Sequence, residues 1–220
     1  MNNTTGISET CQDLFAHYAH NIIKPNTTGY WVDFGARNWG DGFGQNNTVL
    51  LYENGWSGLS MDIGDFGDTY SNLDKNRVHF EKIDCTLIDD VNTLFKKINV
   101  PKVVDYLNFD IDEATEHGLL TLEALIKDGY QFNIITIEHD SYRFDTRVRN
   151  LQRDLLTEHG YILVAELDLY EDWWIHSSVC VDEFDKLKPI SEIKHQGGFS
   201  QESLGKLKQC VEQLKLNNNE

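Results

Sequence analysis

The sequence predicts an α/β domain whose sheet is mostly parallel, with an antiparallel strand near its C-terminal end and helices on both faces. Three observations carry this. Strand-like and helix-like apolar runs alternate five times along the chain, the pattern that wraps a parallel sheet through right-handed crossovers. The run Asn133 to Ile137 is too apolar for an exposed edge and reads as a central strand buried on both faces. The last two strand-like runs follow one another with no helix between them, so they pair antiparallel. With 220 residues the chain is long enough for one such domain and too short for two comfortable ones.

Residues 8 to 22 have the spacing of an amphipathic helix, stopped by Lys24-Pro25 and the turn that ends at Gly29. Tyr30 to Phe34 is a short strand running into a glycine-punctuated loop that includes Gly35, Gly40, Gly42 and Gly44. A helix starts near Asn46, turns Val49, Leu50 and Leu51 inward, and stops at Gly55. Gly58 to Ile63 and Arg77 to Asp84 are the next strands. Thr86 and Asp89 have the spacing of a capping box for a helix with Val91, Leu94, Phe95 and Ile98 inward. Val103 to Ile111 is the fourth strand, followed by a helix over Leu119 to Lys127 with Gly129 placed for a left-handed cap. After the central strand, Asp145 caps a helix reaching His159, with Val148, Leu151 and Leu155 on one face and Gly160 as its stop. Tyr161 to Glu166 and Trp173 to Val181 are the closing strands, and Trp173 and Trp174 alternate faces so that at least one is core. Gln201 to Leu216 forms a late helix that packs on its own domain, with a homodimer contact as the alternative. The expected organisation is a helical extension over 1–28, the sheet domain over 29–184, and a linker and helix over 185–220.

Composition narrows the partners. A formal net charge of -17 argues against a phosphate-tracking surface, so nucleic acid is not an expected substrate. No apolar run approaches the roughly 20 residues of a membrane span, and the N-terminal segment has neither the basic start nor the apolar stretch of a secretory signal, so a cytoplasmic location is expected. Cys11, Cys85, Cys180 and Cys210 are far apart and suggest neither a zinc site nor a disulfide framework.

Open parallel sheets bind ligands at the carboxyl ends of their strands, beside the crevice where strand order reverses. The residues at these exits are Asp33 with the loop from Gly35, Asp62, Asp84, Asp110 with Asp112, Glu138 with His139 and Asp140, and His176. Gly35 permits a tight turn and Ala36 a close approach. Asp62 lies 27 residues after Gly35, where an acid accepts hydrogen bonds from ribose hydroxyls, and Asp84 ends the next strand where an adenine amino group would be read.

The run Val32-Asp33-Phe34-Gly35-Ala36, the helix start Asn46-Asn47-Thr48 with Leu51, and Gly55-Trp56-Ser57-Gly58-Leu59 ending at Asp62 together resemble the FkbM-like methyltransferases. So do Asp105-Tyr106-Leu107-Asn108-Phe109-Asp110-Ile111-Asp112 and Ile135-Thr136-Ile137-Glu138-His139-Asp140, and Glu171 through His176 resembles a late motif of some members. The resemblance spans residues 29 to 181. Asp62 replaces the commoner Glu, Glu113 stands where many members have Gly, and the loop from Arg37 to Phe43 is bulkier than usual. It implies a Rossmann-like class I methyltransferase sheet and S-adenosylmethionine as cofactor, held by Asp33, Gly35, Ala36, Asn47, Thr48, Asp62, Asp84 and Asp110.

Between Pro101 and Asp140 nine Asp or Glu face two Lys. This concentration resembles the place where metal-dependent O-methyltransferases hold a divalent ion, so Asp112, Glu138 and Asp140 are candidate ligands for magnesium or calcium. Asp110, Asp112 and His139 are the candidate catalytic residues, His139 as a general base. His176 is a candidate for the acceptor pocket, and Arg143, Arg147, Arg149 and Arg153 form a basic cluster that would suit an anionic or glycan acceptor. The expected activity is O-methylation of a hydroxyl on a sugar, glycan or small molecule. The rival readings are an NAD-dependent oxidoreductase, which the irregular glycine loop disfavours, and a catalytically inactive Rossmann module used for binding.

Overall fold

A computed structural model describes residues 8, 10–39, 46–112, 116–167 and 169–179, together with 205, 208, 209, 211 and 212. Tyr30–Phe34 (β1), Ser57–Asp62 (β2), Val78–Lys82 (β3), Val103–Phe109 (β4), Gln131–Glu138 (β5), Tyr161–Leu167 (β6) and Glu171–His176 (β7) form one sheet in the order β3-β2-β1-β4-β5-β7-β6. The strands from β3 to β5 are parallel, and β7 inserts antiparallel between β5 and β6. Strand order reverses between β1 and β4. The sheet is Rossmann-like, mostly parallel with the antiparallel C-terminal strand that the missing helix implies.

Side chains alternate across each strand, so the sheet separates two apolar layers. On one face Trp31, Tyr106, Ile134, Trp173 and Ile175 pack with Leu14, Phe15, Ala16 and Ala19 of α1 (Gln12–Ile23) and with Leu50 and Leu51 of α2 (Val49–Glu53). On the other, Val32, Leu59, Leu107, Phe132, Ile135 and Trp174 pack against α4 (Ile88–Lys97), α5 (His117–Lys127) and α6 (Thr146–Glu158). Trp173 and Trp174 therefore fill opposite cores, and both are buried. The ring of Phe15 stacks on Trp173 with centroids 4.4 Å apart, which makes α1 part of the main core. Val211 is buried in the same layer; the rest of the expected late helix is mostly outside the described residues, as are Cys180 and Cys210.

Several local expectations shift. α3 (Gly67–Tyr70) is a single turn, too short to leave a periodic signal. β4 ends at Phe109, because the chain bends away and Asp112 takes a left-handed φ of 51°. The capping box at Thr86 does not form: Thr86 donates from its backbone N and hydroxyl to Asp84, and Leu87 stands at the helix start with no side-chain cap. Asp145 does cap α6, accepting from the backbone N of Arg147 at 2.7 Å. The inward line of α6 is Val148, Gln152 and Leu156, while Leu151 is 37% exposed. Gln152 takes the inward place by donating to the backbone carbonyl of Glu138 at 3.1 Å. β7 spans Glu171 to His176, earlier than expected, because its pairing with β5 begins at Glu138↔Glu171.

Truncating the stacked ring should show that α1 belongs to the core. Phe15→Ala is expected to lower unfolding free energy by about 3–5 kcal/mol. A loss under about 1 kcal/mol in urea denaturation would instead describe a loosely attached helix.

Candidate active site

The exits of β1 and β4 meet at the reversal of strand order. Asp110 donates its backbone N to the Phe34 carbonyl at 2.9 Å, and Gly35 turns with φ +89°. A Cβ on Gly35 would overlap the Asp110 carbonyl oxygen, so glycine is required here by the neighbouring strand. The backbone N–H groups of Gly35 and Ala36 both donate to the Met61 carbonyl, at 2.9 and 3.0 Å. The loop's first donors therefore clamp β1 to β2. Asp33 lies beneath the loop, buried, with one oxygen accepting from Asn108 at 2.9 Å and the other without a partner. Burial pushes its carboxyl up to about 7 against that hydrogen bond.

A groove of about 490 Å³ runs from this turn along the exits of β2 and β3, lined by Gly35, Arg37, Asp62, Ile63, Phe66, Asp84, Cys85, Thr86, Asp110, Ile111 and Asp112. Its size suits a nucleoside-sized ligand. Asp62 bonds the backbone N of Gly64 at 2.6 Å, and Ile63 stands 70% exposed at the rim. Asn47 and Thr48 lie apart from this groove. Asn47 lines the adjoining polar pocket, and the buried Thr48 hydroxyl donates to Asn46.

That polar pocket, of about 220 Å³, holds Gln12, Arg37, Asn47, Asp110, Asp112, Glu138, Asp140, Tyr142, Arg143 and Tyr170. One oxygen from each of Asp112, Glu138 and Asp140 lies within 4.8 Å of the others. Asp112 and Asp140 both have left-handed backbones, with φ of 51° and 43°. Such conformations cost energy in non-glycine residues and persist where surrounding contacts impose them. At Asp140 the contacts are visible: the backbone N–H groups of His139 and Asp140 both donate to the Tyr170 carbonyl in the β6–β7 turn. Asp140 is 4% exposed, and its Oδ1 has no hydrogen-bond partner. Asp110, Glu138 and Asp140 hydrogen-bond in series, and burial together with mutual repulsion raises all three carboxyls above their ordinary range. Four carboxyl groups thus share one wall of the pocket, with Arg37 and Arg143 as the cationic side chains among its described lining residues.

The remaining candidates are placed differently from expectation. The His139 ring is fully buried, with Nδ1 bonded to the Ser141 hydroxyl at 3.0 Å and Nε2 3.8 Å from Asp172. It lacks the access that a general base for a bound acceptor needs. His176 lies at the opposite edge of the sheet, because β7 runs antiparallel and brings its beginning to the ligand side; its ring packs edge-on against Tyr161. The arginines are spent on acids: Arg143 on Asp112 and Arg147 on Glu116, each at 2.7 Å, and Arg153 on Asp172 through a fork of 2.7 and 2.8 Å. Arg149 lies 4.0 Å from Glu166. Burial opposes ionisation of Asp172, yet His139 and the Arg153 fork hold its carboxyl below the ordinary range.

Glu171 and Asp172 are the site-edge acids that sequence reading missed. Glu171 is 2% exposed and accepts from the Thr10 hydroxyl, from Gln12 Nε2 at 3.0 Å and from Trp173 Nε1 at 2.9 Å. It ties the start of α1, where Cys11 has a left-handed φ of 64°, to the strand beside Glu138. The predicted reversal of the last strand could have pointed to both acids, since it exchanges which end of the strand reaches the ligand edge.

Among solved structures the chain is similar to the MycE methyltransferase from the mycinamycin biosynthetic pathway, described in complex with Mg and SAH, and with Mg, SAH and mycinamycin VI. Both matches have a TM-score of 0.53 and 12% identity, over 79% of this chain and 55% of that one. A second crystal form with Mg and SAH matches at 0.53 and 11%, over 80% and 54%. The chain shares its fold with MycE. It spans about half of that protein's length, and identity this low establishes the fold alone. No protein-family model and no curated protein matches the sequence. Among the described residues no helix is long and apolar enough to cross a membrane.

Two outcomes follow from this geometry. Gly35→Ala should destabilise the fold by at least about 3 kcal/mol, since the strained φ and the Asp110 carbonyl both oppose a side chain; urea denaturation with a loss under about 1 kcal/mol would contradict it. Burial, against the bonds from Thr10, Trp173 and Gln12, pushes the Glu171 carboxyl from 4.5 up to about 8. Between those values the folded chain keeps a proton that the unfolded chain has released, so this group makes stability fall as pH rises through that window. Glu171→Gln removes the titration, and its stability should fall less than the wild type's between pH 5 and 8. Equal falls would show that Glu171 is not protonated in the fold.

Proposed function

We propose that the chain is an S-adenosylmethionine-dependent methyltransferase of the FkbM-like type. It methylates a hydroxyl on a sugar or another small molecule, with a divalent cation held by Asp112, Glu138 and Asp140. The observation that carries this reading is the meeting of those three carboxylates beside a groove at the reversal of strand order. The cation fits the donors. All are hard oxygens suited to magnesium or calcium, and Asp140 Oδ1 is buried without a partner. The MycE structures described with Mg and SAH support the same pairing of ligands.

Methyl transfer is an in-line displacement at a carbon already activated by the sulfonium, so alignment is the protein's main task. Asp62 is placed for the ribose hydroxyls and Asp84 for the adenine end. Asp110 lines both the groove and the polar pocket, so it can hold the cofactor's ammonium while bordering the acceptor. A cation held by the three acids would lower the pKa of the acceptor hydroxyl. Asp112, exposed at the pocket wall, orients the acceptor through the cation it would help hold, and the hydroxyl proton leaves to solvent at that open wall; the buried His139 orients the Asp140 loop. Tyr142 stacks on Tyr170 with planes only 4° apart, offering a flat apolar face to a sugar ring or similar acceptor. An NAD-dependent oxidoreductase is not favoured: β7 lies antiparallel inside the sheet, and the turn after β1 lacks the G-x-G-x-x-G spacing.

Thermal-shift and calorimetric titrations test the reading. S-adenosylmethionine and S-adenosylhomocysteine should each stabilise the protein by about 2.7 kcal/mol at 100 times their Kd, and NADH should not. Magnesium should add a further shift that Asp140→Asn removes while homocysteine-ligand binding persists. Absence of any shift with both adenosyl ligands would overturn the proposal.

A further inference from the structure

The groove has an asymmetry of charge. Four acids line it, Asp62, Asp84, Asp110 and Asp112, and Arg37 is the only cationic side chain among its described lining residues. The cofactor of the proposed reaction ends in an α-carboxylate, which binds poorly to a wall of acids unless a cation meets it. An arginine fork is the side chain best shaped for a carboxylate. Arg37 follows directly on the Gly35 turn and lines the polar pocket as well as the groove.

In the structure Arg37 leans toward the cation site. Its Nη2 lies 3.7 Å from Asp112 Oδ2, longer than a hydrogen bond, while Arg143 Nη1 holds Oδ1 of the same carboxylate at 2.7 Å. Both members of the Arg37–Asp112 pair are about half exposed, so the pair contributes little stability and is easily exchanged. Resting on the methyltransferase reading, we propose that Arg37 binds the cofactor's α-carboxylate and releases Asp112 in doing so, which makes cofactor and divalent-cation binding mutually reinforcing. Without cofactor, Arg37 and the cation compete for Asp112. With cofactor, the competitor is held elsewhere and Asp112 Oδ2 is available beside Glu138 and Asp140. By linkage, the cation raises cofactor affinity by the same factor that the cofactor raises cation affinity.

Calorimetric titration of magnesium into the full chain tests this, alone and with saturating S-adenosylhomocysteine. A parallel titration uses 5′-methylthioadenosine, which retains the adenosyl group and lacks the amino-acid end. S-adenosylhomocysteine should tighten magnesium binding roughly fivefold or more, and methylthioadenosine should leave it unchanged. In Arg37→Gln, magnesium should bind more tightly without cofactor, S-adenosylhomocysteine more weakly, and methylthioadenosine as before, with the coupling lost. Independent binding of the two ligands in the wild type, or coupling that survives in Arg37→Gln, overturns the inference while leaving the methyltransferase reading intact. Failure of S-adenosylhomocysteine to bind at all overturns both, and failure of magnesium to bind overturns the cation site and the coupling together.

Discussion

The close passage of β1 against β4 at Gly35 governs the rest of the site. With no side chain at that point, the Asp110 carbonyl approaches the turn, and the two central strands end at the same height. Asp110 then faces the groove on one side and the polar pocket on the other. The same turn directs its N–H groups into β2, which fixes where Asp62 emerges. A backbone contact thus sets the spacing of the acids at the strand exits.

Those acids are held in an environment that raises their proton affinity. Burial and mutual repulsion act together on Asp110, Glu138 and Asp140, and neighbouring backbone bonds hold the strands that carry them, with Arg143 Nη1 4.0 Å from Asp140 Oδ2. The Tyr170 carbonyl braces His139 and Asp140, and Gln152 braces Glu138 from α6. Arg143 is anchored on Asp112 at the rim at 2.7 Å. The strain and repulsion concentrated there are what a bound cation would relieve.

Much of this was legible in the sequence because periodicity and strand exits are local signals. The apolar runs located every strand, the missing helix before Glu171 announced the antiparallel ending, and acids at consecutive exits announced Asp112, Glu138 and Asp140 as a group. What was not legible depended on orientation or on distant partners. His139 reads as an exposed base until its ring is seen beneath the loop against Asp172. Arg153 reads as a free cation until α6 turns it onto that same buried acid. Gln152 falls outside the apolar face expected for this helix, Val148, Leu151 and Leu155, because its inward role is a bond to the backbone of another element. Thr10 and Gln12 carry no motif, since their partner, Glu171, lies about 160 residues away in sequence.

That last distance has a consequence for how the chain reaches its fold. α1 leaves the ribosome long before β7 exists, carrying Leu14, Phe15 and Ala19 on a face whose partner Trp173 comes near the end of the described chain. Contacts so remote in sequence form late, because the loop they close must first be ordered. The α1 face also meets Leu50 and Leu51 of α2, so only the part that stacks on Trp173 stays uncovered until β7 is made, a natural point for chaperone capture or self-association.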